Sequence, residues 1–166
     1  MNRVAFFDRD GVLNVDIGYL WSKEDFVWMA GAVETIRSFN ERGWRVVVVT
    51  NQSGVARGYY QESDVQALHQ WMNEELAKQG ARIDSFFYCP HYPQAVKQEY
   101  AIACDCRKPQ PGMILRGLAE WQADPASCIL IGDKEFDVQA ATAAGVRGYL
   151  FDEANLLDFV RKNGIF

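Results

Sequence analysis

Short apolar runs that end abruptly in polar residues recur along this chain, and the first of them restricts the possible folds most. Residues 4–7 read Val-Ala-Phe-Phe and lead directly into Asp8, Asp10 and Gly11. A short apolar run bounded by a turn is typical of a buried strand. Two carboxylates so close together would repel each other unless a cation or a phosphoryl group lay between them. The pattern therefore predicts a strand that ends at a charged site, with an ordinary polar turn as the alternative.

The rest of the chain alternates strand-like runs with helical patterns. Strands are expected at residues 3–8, 44–49, 83–88, 127–131 and 146–151, and helices at residues 32–41, 62–78, 111–121, 138–144 and 153–162. This alternation predicts an α/β fold, a parallel sheet of about five strands with right-handed crossovers. His69 lies beside the apolar stripe of the second helix, which indicates a packed residue and not a ligand. Residues 11–30 are interpreted as a flap and residues 89–107 as a loop, so no separate cap domain is expected.

Composition limits the possible partners. The 166 residues are 49% hydrophobic, which is enough for one domain that covers residues 1–166. The net charge is −5 and no Lys/Arg cluster occurs, which argues against nucleic acid and against an anionic membrane surface. Neither a signal peptide nor a membrane span is recognisable. We therefore expect a cytoplasmic monomer whose cysteines are free or bind metal.

Polar residues follow three of the predicted strands. They are Asp8 and Asp10, Thr50 and Asn51, and Asp133 and Asp137. In a parallel sheet these strand ends lie at one edge, where carboxylate oxygens could bind Mg²⁺ and a substrate phosphate. Lys108, just before the third helix, can add positive charge. The set predicts a phosphoryl site, with Asp137 in a supporting role beside the metal; the alternative is that Asp137 begins a helix.

A second group of residues has the spacing of a metal site. Cys89 and His91 are separated by one residue, as are Cys104 and Cys106. Three thiolates and an imidazole fill a tetrahedral Zn²⁺ site and leave no position for water, so the zinc would be structural. The alternative is a loop of free thiols. Cys128 lies within a predicted strand and is interpreted as a buried thiol.

Four segments carry a family resemblance. In order along the chain they read DRDGV, VVVVTNQSG, CRKP and IGDKEFD. They resemble the four motifs of the haloacid-dehalogenase (HAD) superfamily of phosphatases, which have a Rossmann-like fold. The resemblance implies that Asp8 attacks phosphorus to form an aspartyl phosphate, and that Asp10 protonates the leaving oxygen and then activates water. It also implies that Thr50 and Lys108 bind the phosphoryl oxygens.

The same resemblance implies the metal ligands. Asp8, Asp133 and the backbone carbonyl of Asp10 would bind Mg²⁺. A carboxylate nucleophile divides a slow hydrolysis into two substitutions, and the metal offsets the repulsion between two anions. A second acid at Asp10 favours ester hydrolysis, because cleavage of a carbon–halogen bond requires no leaving-group protonation.

The cysteine loop narrows the resemblance. The loop reads Cys-x-His followed by Cys-x-Cys-Arg-Lys-Pro, and the chain also contains NVDIGY and TNQSGVARG. These motifs resemble those of the D-glycero-D-manno-heptose 1,7-bisphosphate 7-phosphatases more than those of the histidinol-phosphate phosphatases. The implied substrate contacts are Asp16, Ile17, Gly18, Tyr19, Thr50, Asn51, Gln52, Ser53, Arg107, Lys108 and Lys134. Arg107 is suited to the distal 1-phosphate, because a guanidinium can bind two phosphate oxygens.

Together these features predict a Mg²⁺-dependent phosphatase that removes the 7-phosphate of a heptose bisphosphate. Such an enzyme would serve nucleotide-activated heptose synthesis for lipopolysaccharide or other surface glycans. One alternative is a histidinol-phosphate phosphatase. Another is a zinc-stabilised binding module without catalytic activity, which is disfavoured because both Asp8 and Asp10 are present.

Overall fold

The computed structural model describes residues 2–166, and a five-stranded parallel sheet lies at its centre. The strands are β1 (Val4–Phe7), β2 (Arg45–Asn51), β3 (Ser85–Cys89), β4 (Ile129–Gly132) and β5 (Arg147–Leu150). They are ordered β3-β2-β1-β4-β5 across the sheet. The predicted fold class is confirmed. The strand order reverses at β1, and in α/β sheets such a reversal opens a crevice at the carboxyl edge.

Five α-helices connect the strands. They are α1 (Ala32–Glu41), α2 (Glu62–Ala77), α3 (Gly112–Glu120), α4 (Glu135–Ala143) and α5 (Leu156–Lys162). Two of them begin three residues away from the predicted start, because side chains cap their first turns, and α3 begins one residue later than predicted. Asp137 Oδ2 accepts the backbone N–H of Lys134 at 3.0 Å, so α4 begins at Glu135. Asn155 Oδ1 accepts the N–H of Asp158 at 3.1 Å, so α5 begins at Leu156.

The core has two layers, one on each face of the sheet. Successive side chains of a strand point to opposite faces, and in β1 Ala5 and Phe7 join one buried cluster while Val4 and Phe6 join the other. Side chains of α1, α2 and α5 cover the first face, and those of α3 and α4 cover the second. All four β1 side chains are 0% exposed. This burial fixes β1 in position, and with it the turn that follows.

Two long connections rise above the carboxyl edge. The first follows β1 and contains a 3-10 helix at Lys23–Asp25, with isolated bridges that join Asn14 to Asp10 and to Trp28. The second follows β3 and contains a 3-10 helix at Gln98–Tyr100. Within residues 2–166, no helix combines the length and apolar character needed to cross a bilayer.

Candidate active site

The side chains predicted to act together lie at the carboxyl edge of the sheet. Asp8 follows β1, Thr50 lies near the end of β2, and Asp133 follows β4. A cavity of about 140 Å³ opens at this edge, and its lining includes Asp8, Asp10, Asp16, Asn51, Lys108 and Asp133. Residues that are distant in sequence therefore face one space, because parallel strands bring their ends together.

Lys108 reaches the edge from the loop that precedes α3. Its Nζ donates hydrogen bonds to Asp8 Oδ1 at 3.0 Å and to the carbonyl of Val49 at 2.8 Å. The same ammonium lies 2.5 Å from Asp137 Oδ1. Asn51 orients the lysine, because its Oδ1 accepts the Lys108 N–H at 3.0 Å and its Nδ2 donates to the Lys108 carbonyl at 3.3 Å. The end of β2 therefore positions the lysine beside the carboxylate that follows β1.

The electrostatics of this cluster favour an additional cation. Burial raises the pKa of Asp8 well above its ordinary value; Lys108 opposes this rise, and Asp137, Asp10 and Asp133 add to it. Burial alone would lower the pKa of Lys108, but the attraction of Asp8 and Asp137 outweighs burial and raises that pKa. Negative charge is thus in excess around Asp8, and a bound cation would relieve it.

The donor set fits a hard divalent cation. Asp8, Asp133 and Asp137 offer carboxylate oxygens that lie within 4.8 Å of one another. Asp137 uses both of its oxygens, Oδ1 with Lys108 and Oδ2 with the N–H of Lys134, whereas Asp8 accepts its hydrogen bonds on Oδ1 alone. Within the described residues, the buried Oδ1 of Asp133 has no hydrogen-bond partner. Asp133 can lie this close to the turn after β1 because residue 11 is a glycine: its φ is 88°, and a Cβ there would lie 2.1 Å from Asp133 Oδ2. Oxygen ligands of this kind are those that Mg²⁺ prefers.

Asp10 receives hydrogen bonds from three side chains. Arg9 donates to its Oδ1 from Nε at 3.2 Å and from Nη2 at 3.0 Å. Asn14 Nδ2 donates to the same oxygen at 3.0 Å, and Gln52 Nε2 donates to Oδ2 at 3.1 Å. The Gln52 amide also donates to Thr50 Oγ1 at 2.9 Å. Gln52 thus connects the predicted acid to the predicted phosphoryl-binding threonine.

A second cavity, of about 310 Å³, adjoins the first. Its lining includes Asp16, Gly18, Tyr19, Gln52, Ser53 and Tyr60. Within the flap, the N–H of Gly18 donates a hydrogen bond to Asp16 Oδ1 at 2.9 Å, which closes a turn. Ile17 does not line this cavity, and it is 55% exposed. The flap and the segment after β2 therefore face each other across a space open to a substrate.

Two arginines flank the ring of Tyr92 near this space. The Cζ of Arg57 lies 3.9 Å from the ring centroid, and that of Arg107 lies 5.1 Å from it. Arg57 Nε also donates to Ser53 Oγ at 3.2 Å, which ties it to the lining of the larger cavity. Arg107 lines neither of these two cavities, whereas Lys134 lines the smaller one. Tyr92 thus holds two positively charged side chains together at the rim of the larger cavity.

The cysteine loop brings its four candidate ligands together. Cys89, His91, Cys104 and Cys106 offer ligand atoms within 4.8 Å of one another. Cys89 Sγ lies 3.6 Å from His91 Nδ1 and 3.7 Å from Cys104 Sγ. Sulfur atoms around a tetrahedral zinc stand about 3.8 Å apart, since each lies about 2.3 Å from the ion. Cys106 Sγ is closer to Cys89 Sγ, at 2.8 Å. The cluster can hold a metal ion, and Cys128 lies outside it.

The sequence analysis did not identify several residues that contact the site. Arg9 and Tyr60 hold members of the Asp10 network, and Arg57 and Tyr92 form the rim described above. A signal for Arg9 was available, because an arginine between two aspartates in a buried turn needs a carboxylate partner. Tyr92 and Arg57 carried no comparable signal, since their contact joins two loops.

Comparison with known proteins gives consistent matches. The HAD-hydrolase-like family model matches residues 105–153. The D-glycero-beta-D-manno-heptose-1,7-bisphosphate 7-phosphatase of Rhodopseudomonas palustris is 46% identical over 95% of this chain and 88% of its own length. The D-glycero-alpha-D-manno-heptose-1,7-bisphosphate 7-phosphatase of Photorhabdus laumondii is 40% identical over 87% of this chain and 79% of its own length.

A solved structure supports the same relationship. The D,D-heptose 1,7-bisphosphate phosphatase of B. bronchiseptica, crystallised with magnesium and phosphate, superposes with a TM-score of 0.82. It is 33% identical to this chain, and the match covers 99% of this chain and 88% of the other. The similarity therefore extends over the sheet, the flap and the cysteine loop together.

Proposed function

Because this chain belongs to the D-glycero-D-manno-heptose 1,7-bisphosphate 7-phosphatase family of HAD-like hydrolases, we propose that it hydrolyses the 7-phosphate of that sugar bisphosphate. The reaction serves nucleotide-activated heptose synthesis for lipopolysaccharide or other surface glycans. The observation that carries the proposal is the buried contact of Lys108 with Asp8, in a cavity that Asp10 also lines. A nucleophile, a cation and an acid are thus available to one phosphoryl group.

In the first step, an Asp8 carboxylate oxygen attacks the phosphorus of the 7-phosphate. The bond between phosphorus and sugar oxygen 7 breaks, and Asp10 gives its proton to that oxygen. Heptose 1-phosphate leaves, and the phosphoryl group remains on Asp8. In the second step, a water oxygen attacks the phosphorus while Asp10 takes the water's proton, and the bond between phosphorus and the Asp8 oxygen breaks. Inorganic phosphate leaves, and Asp8 is regenerated.

Other residues at the carboxyl edge of the sheet stabilise the phosphoryl group. Lys108 is 1% exposed, so its charge acts through little intervening water. Thr50, oriented by Gln52, offers its hydroxyl to a phosphoryl oxygen. Mg²⁺ held by Asp8, Asp133 and the carbonyl of Asp10 would supply positive charge that offsets the repulsion between carboxylate and phosphate.

The larger cavity is the proposed place for the sugar. Its volume of about 310 Å³ and its lining of polar flap and loop residues suit a hydroxylated substrate. Asp16, Gly18 and Tyr19 would contact the sugar from the flap, with Ile17 contributing only its backbone. Gln52, Ser53 and Asn51 would contact it from the end of β2. Lys134 would contact the phosphate from the side of β4.

The distal 1-phosphate is assigned to Arg107. Its guanidinium lies against Tyr92, as does that of Arg57, so two positive charges are available at the proposed distal end of the site. Arg107 immediately precedes Lys108 in the chain, and one short segment therefore serves both phosphates of the substrate. This arrangement favours a bisphosphate over a monophosphate, because the second phosphate adds charge-assisted hydrogen bonds.

Zinc is the metal proposed for the cysteine loop. Three sulfurs and one imidazole nitrogen form a closed tetrahedral set, which is typical of structural zinc. Hydrogen bonding with Cys89 lowers the pKa of the Cys106 thiol to about 5, against the opposing effect of burial, and the thiolate is the form that binds metal. The ion would fix Cys106, and through it the adjoining Arg107.

We make three further proposals, on the domain organisation, the oligomeric state and the location of the chain. The chain works as one domain over residues 1–166, as a monomer, and in the cytoplasm, where its sugar phosphate substrate is made. A nucleic-acid partner and a membrane surface are not expected from a chain whose net charge is −5.

A substrate panel tests the proposed function. Phosphate release is measured as kcat/KM for the alpha and beta heptose 1,7-bisphosphates, fructose 1,6-bisphosphate and histidinol phosphate. Both anomers are included because the relatives divide between them. We expect one heptose anomer to give the highest value, with heptose 1-phosphate as the product in ³¹P NMR spectra. A higher value for histidinol phosphate would overturn the assignment.

A further inference from the structure

Arg9 is the largest side chain that is fully buried in the part of the chain that the structure describes. It is 0% exposed, and a guanidinium keeps its charge at every physiological pH. A buried charge of this kind is stable only if its donors are satisfied. Besides Asp10, Arg9 reaches the carbonyl of Leu20 from Nη2 at 2.9 Å and His69 Nε2 from Nη1 at 3.2 Å. The residue thus links α2, the flap and the turn after β1.

The contact with His69 fixes the state of the imidazole. Arginine can only donate, so Nε2 of His69 must accept and the ring proton must lie on Nδ1. Burial and the charge of Arg9 both lower the pKa of His69 well below its ordinary value, which keeps the ring neutral. The ring is also stacked on Phe86, with centroids 4.4 Å apart and planes at 14°. His69 is therefore a fixed acceptor and not a mobile one.

The hydrogen bonds divide the two oxygens of Asp10 into different roles. Oδ1 accepts two bonds from Arg9 and one from Asn14, which saturates its lone pairs. Oδ2 accepts Gln52 Nε2 at 3.1 Å and a longer contact from Arg9 Nη2 at 3.3 Å. Tyr60 holds the Gln52 amide by donating to its Oε1 at 2.5 Å. A proton on Asp10 therefore belongs on Oδ2.

We propose that Arg9 and His69 form a positioning pair that holds Asp10 so that Oδ2 delivers its proton to the leaving oxygen and later receives the proton of water. The proposal rests on the role of Asp10 given above. Neither residue touches the substrate. His69 orients Arg9, and Arg9 engages Oδ1, so that the other oxygen faces the reaction.

The test uses substrates that differ in their need for an acid. An alkyl phosphate such as the heptose bisphosphate needs protonation of its leaving oxygen, whereas p-nitrophenyl phosphate has a leaving group that departs as an anion. His69→Leu removes the acceptor for Arg9, and His69→Gln retains an acceptor at the position of Nε2. The exposed neighbour substitution Gln70→Leu controls for changes in α2.

We expect His69→Leu to lower kcat for the heptose bisphosphate by about 10- to 100-fold, since acid–base catalysis contributes about 10²–10⁴-fold. KM should change less than about 2-fold, because uniform substrate binding is retained. The rate of the first p-nitrophenolate burst should change less than about 3-fold, because that step needs no acid. His69→Gln should restore most of the lost kcat.

Equal losses for both substrates, or no loss for either, would overturn the positioning pair. If His69→Leu does not fold, the comparison of His69→Gln with His69→Asn decides, because the shorter side chain cannot reach Arg9; equal kcat for the two would overturn the pair. Asp10→Asn separates this inference from the function on which it rests. A selective loss in Asp10→Asn without one in the His69 variants would overturn the pair alone. A loss in Asp10→Asn that is equal for both substrates would overturn the role of Asp10 as well.

Discussion

Lys108 donates a hydrogen bond of 3.0 Å to Asp8 across a sequence separation of 100 residues. Both side chains are almost completely buried, at 1% and 10% exposed. The parallel sheet makes this contact possible, because it places the end of β1 beside the end of β2, where Asn51 holds the lysine backbone. The proposed nucleophile and the lysine are therefore brought together by tertiary structure alone.

Replacement of the proposed nucleophile, Asp8, should abolish phosphate release. In Asp8→Asn the amide cannot form the phosphoryl-enzyme, so Mg²⁺-dependent phosphate release should fall below detection. The fold should persist, because the asparagine amide has nearly the same shape as the aspartate carboxylate and carries no charge. Circular dichroism provides the check on folding, and Asp152→Asn, at an exposed position outside both cavities, is the control. Retention of full activity in Asp8→Asn would exclude this residue as the nucleophile.

Replacement of the buried lysine should reduce stability. Lys108→Met leaves Asp8 and Asp137 without their cation, and breaking a buried pair costs about 3–5 kcal/mol. Urea unfolding of the protein without added Mg²⁺ measures the loss of unfolding free energy. Lys134→Met is the matched control, since that side chain is 56% exposed. Its effect should stay within about 0.5 kcal/mol. Equal effects of the two substitutions would contradict the ion-pair argument.

The cysteine loop should contain metal. Careful purification should give about one zinc per chain by elemental analysis. Cys104→Ser should lose that zinc, whereas Cys128→Ser should retain it, because Cys128 lies in the core and accepts the N–H of Val4 at 3.3 Å. A fully folded wild-type preparation without zinc would reject the proposed site.

Arg107, one of the two arginines at the rim, should distinguish a bisphosphate substrate from a monophosphate. Arg107→Ala should lower kcat/KM for the heptose bisphosphate by about 10- to 100-fold, because a charge-assisted hydrogen bond of about 1.5–3 kcal/mol is lost. Turnover of a sugar 7-phosphate without the 1-phosphate should change much less. Arg116→Ala is the control, since its side chain is 51% exposed and pairs with Asp105. Equal losses for the two substrates would remove Arg107 from the distal site.

The buried imidazole should make stability depend on pH. His69 has its pKa lowered in the folded state, so the unfolded chain binds a proton first as the pH falls below about 6.5. The unfolding free energy should therefore fall with decreasing pH in that range, and His69 should contribute nothing above it. Urea unfolding is measured at about pH 7.5, 6.5 and 5.5. The unfolding free energy of His69→Gln should decline less steeply with falling pH than that of the wild type. Parallel curves for the two proteins would contradict a depressed pKa.

The fold was largely predictable because apolar runs and helical periods are local properties. The bounds of α1 agree with the prediction at both ends, and all five strands lie where an apolar run was recognised. The starts of α4 and α5 were not predicted, because single capping hydrogen bonds decide them. Periodicity does not reveal which polar residue will cap a turn.

The contents of the site were less predictable than its location. The strand-end aspartates lie together because topology requires it, but the pairing of Arg9 with His69 joins a turn to a helix 60 residues away. Asp137 illustrates the same limit, since it both caps α4 and pairs with Lys108. The sequence predicted either a supporting role beside the metal or the start of a helix, and the pairing with Lys108 was not predicted. Only packing allows one carboxylate both to cap the helix and to pair with the lysine.

The short spacer between Cys106 and Lys108 has a consequence for how this protein can vary. Residues 93–96 form a surface excursion whose Val96 is 82% exposed, so added or deleted residues there need not disturb either end. One residue inserted after Cys106 would instead swing the ammonium away from its two acidic neighbours. We therefore expect the excursion to tolerate changes of length, and the adjoining spacer to tolerate none.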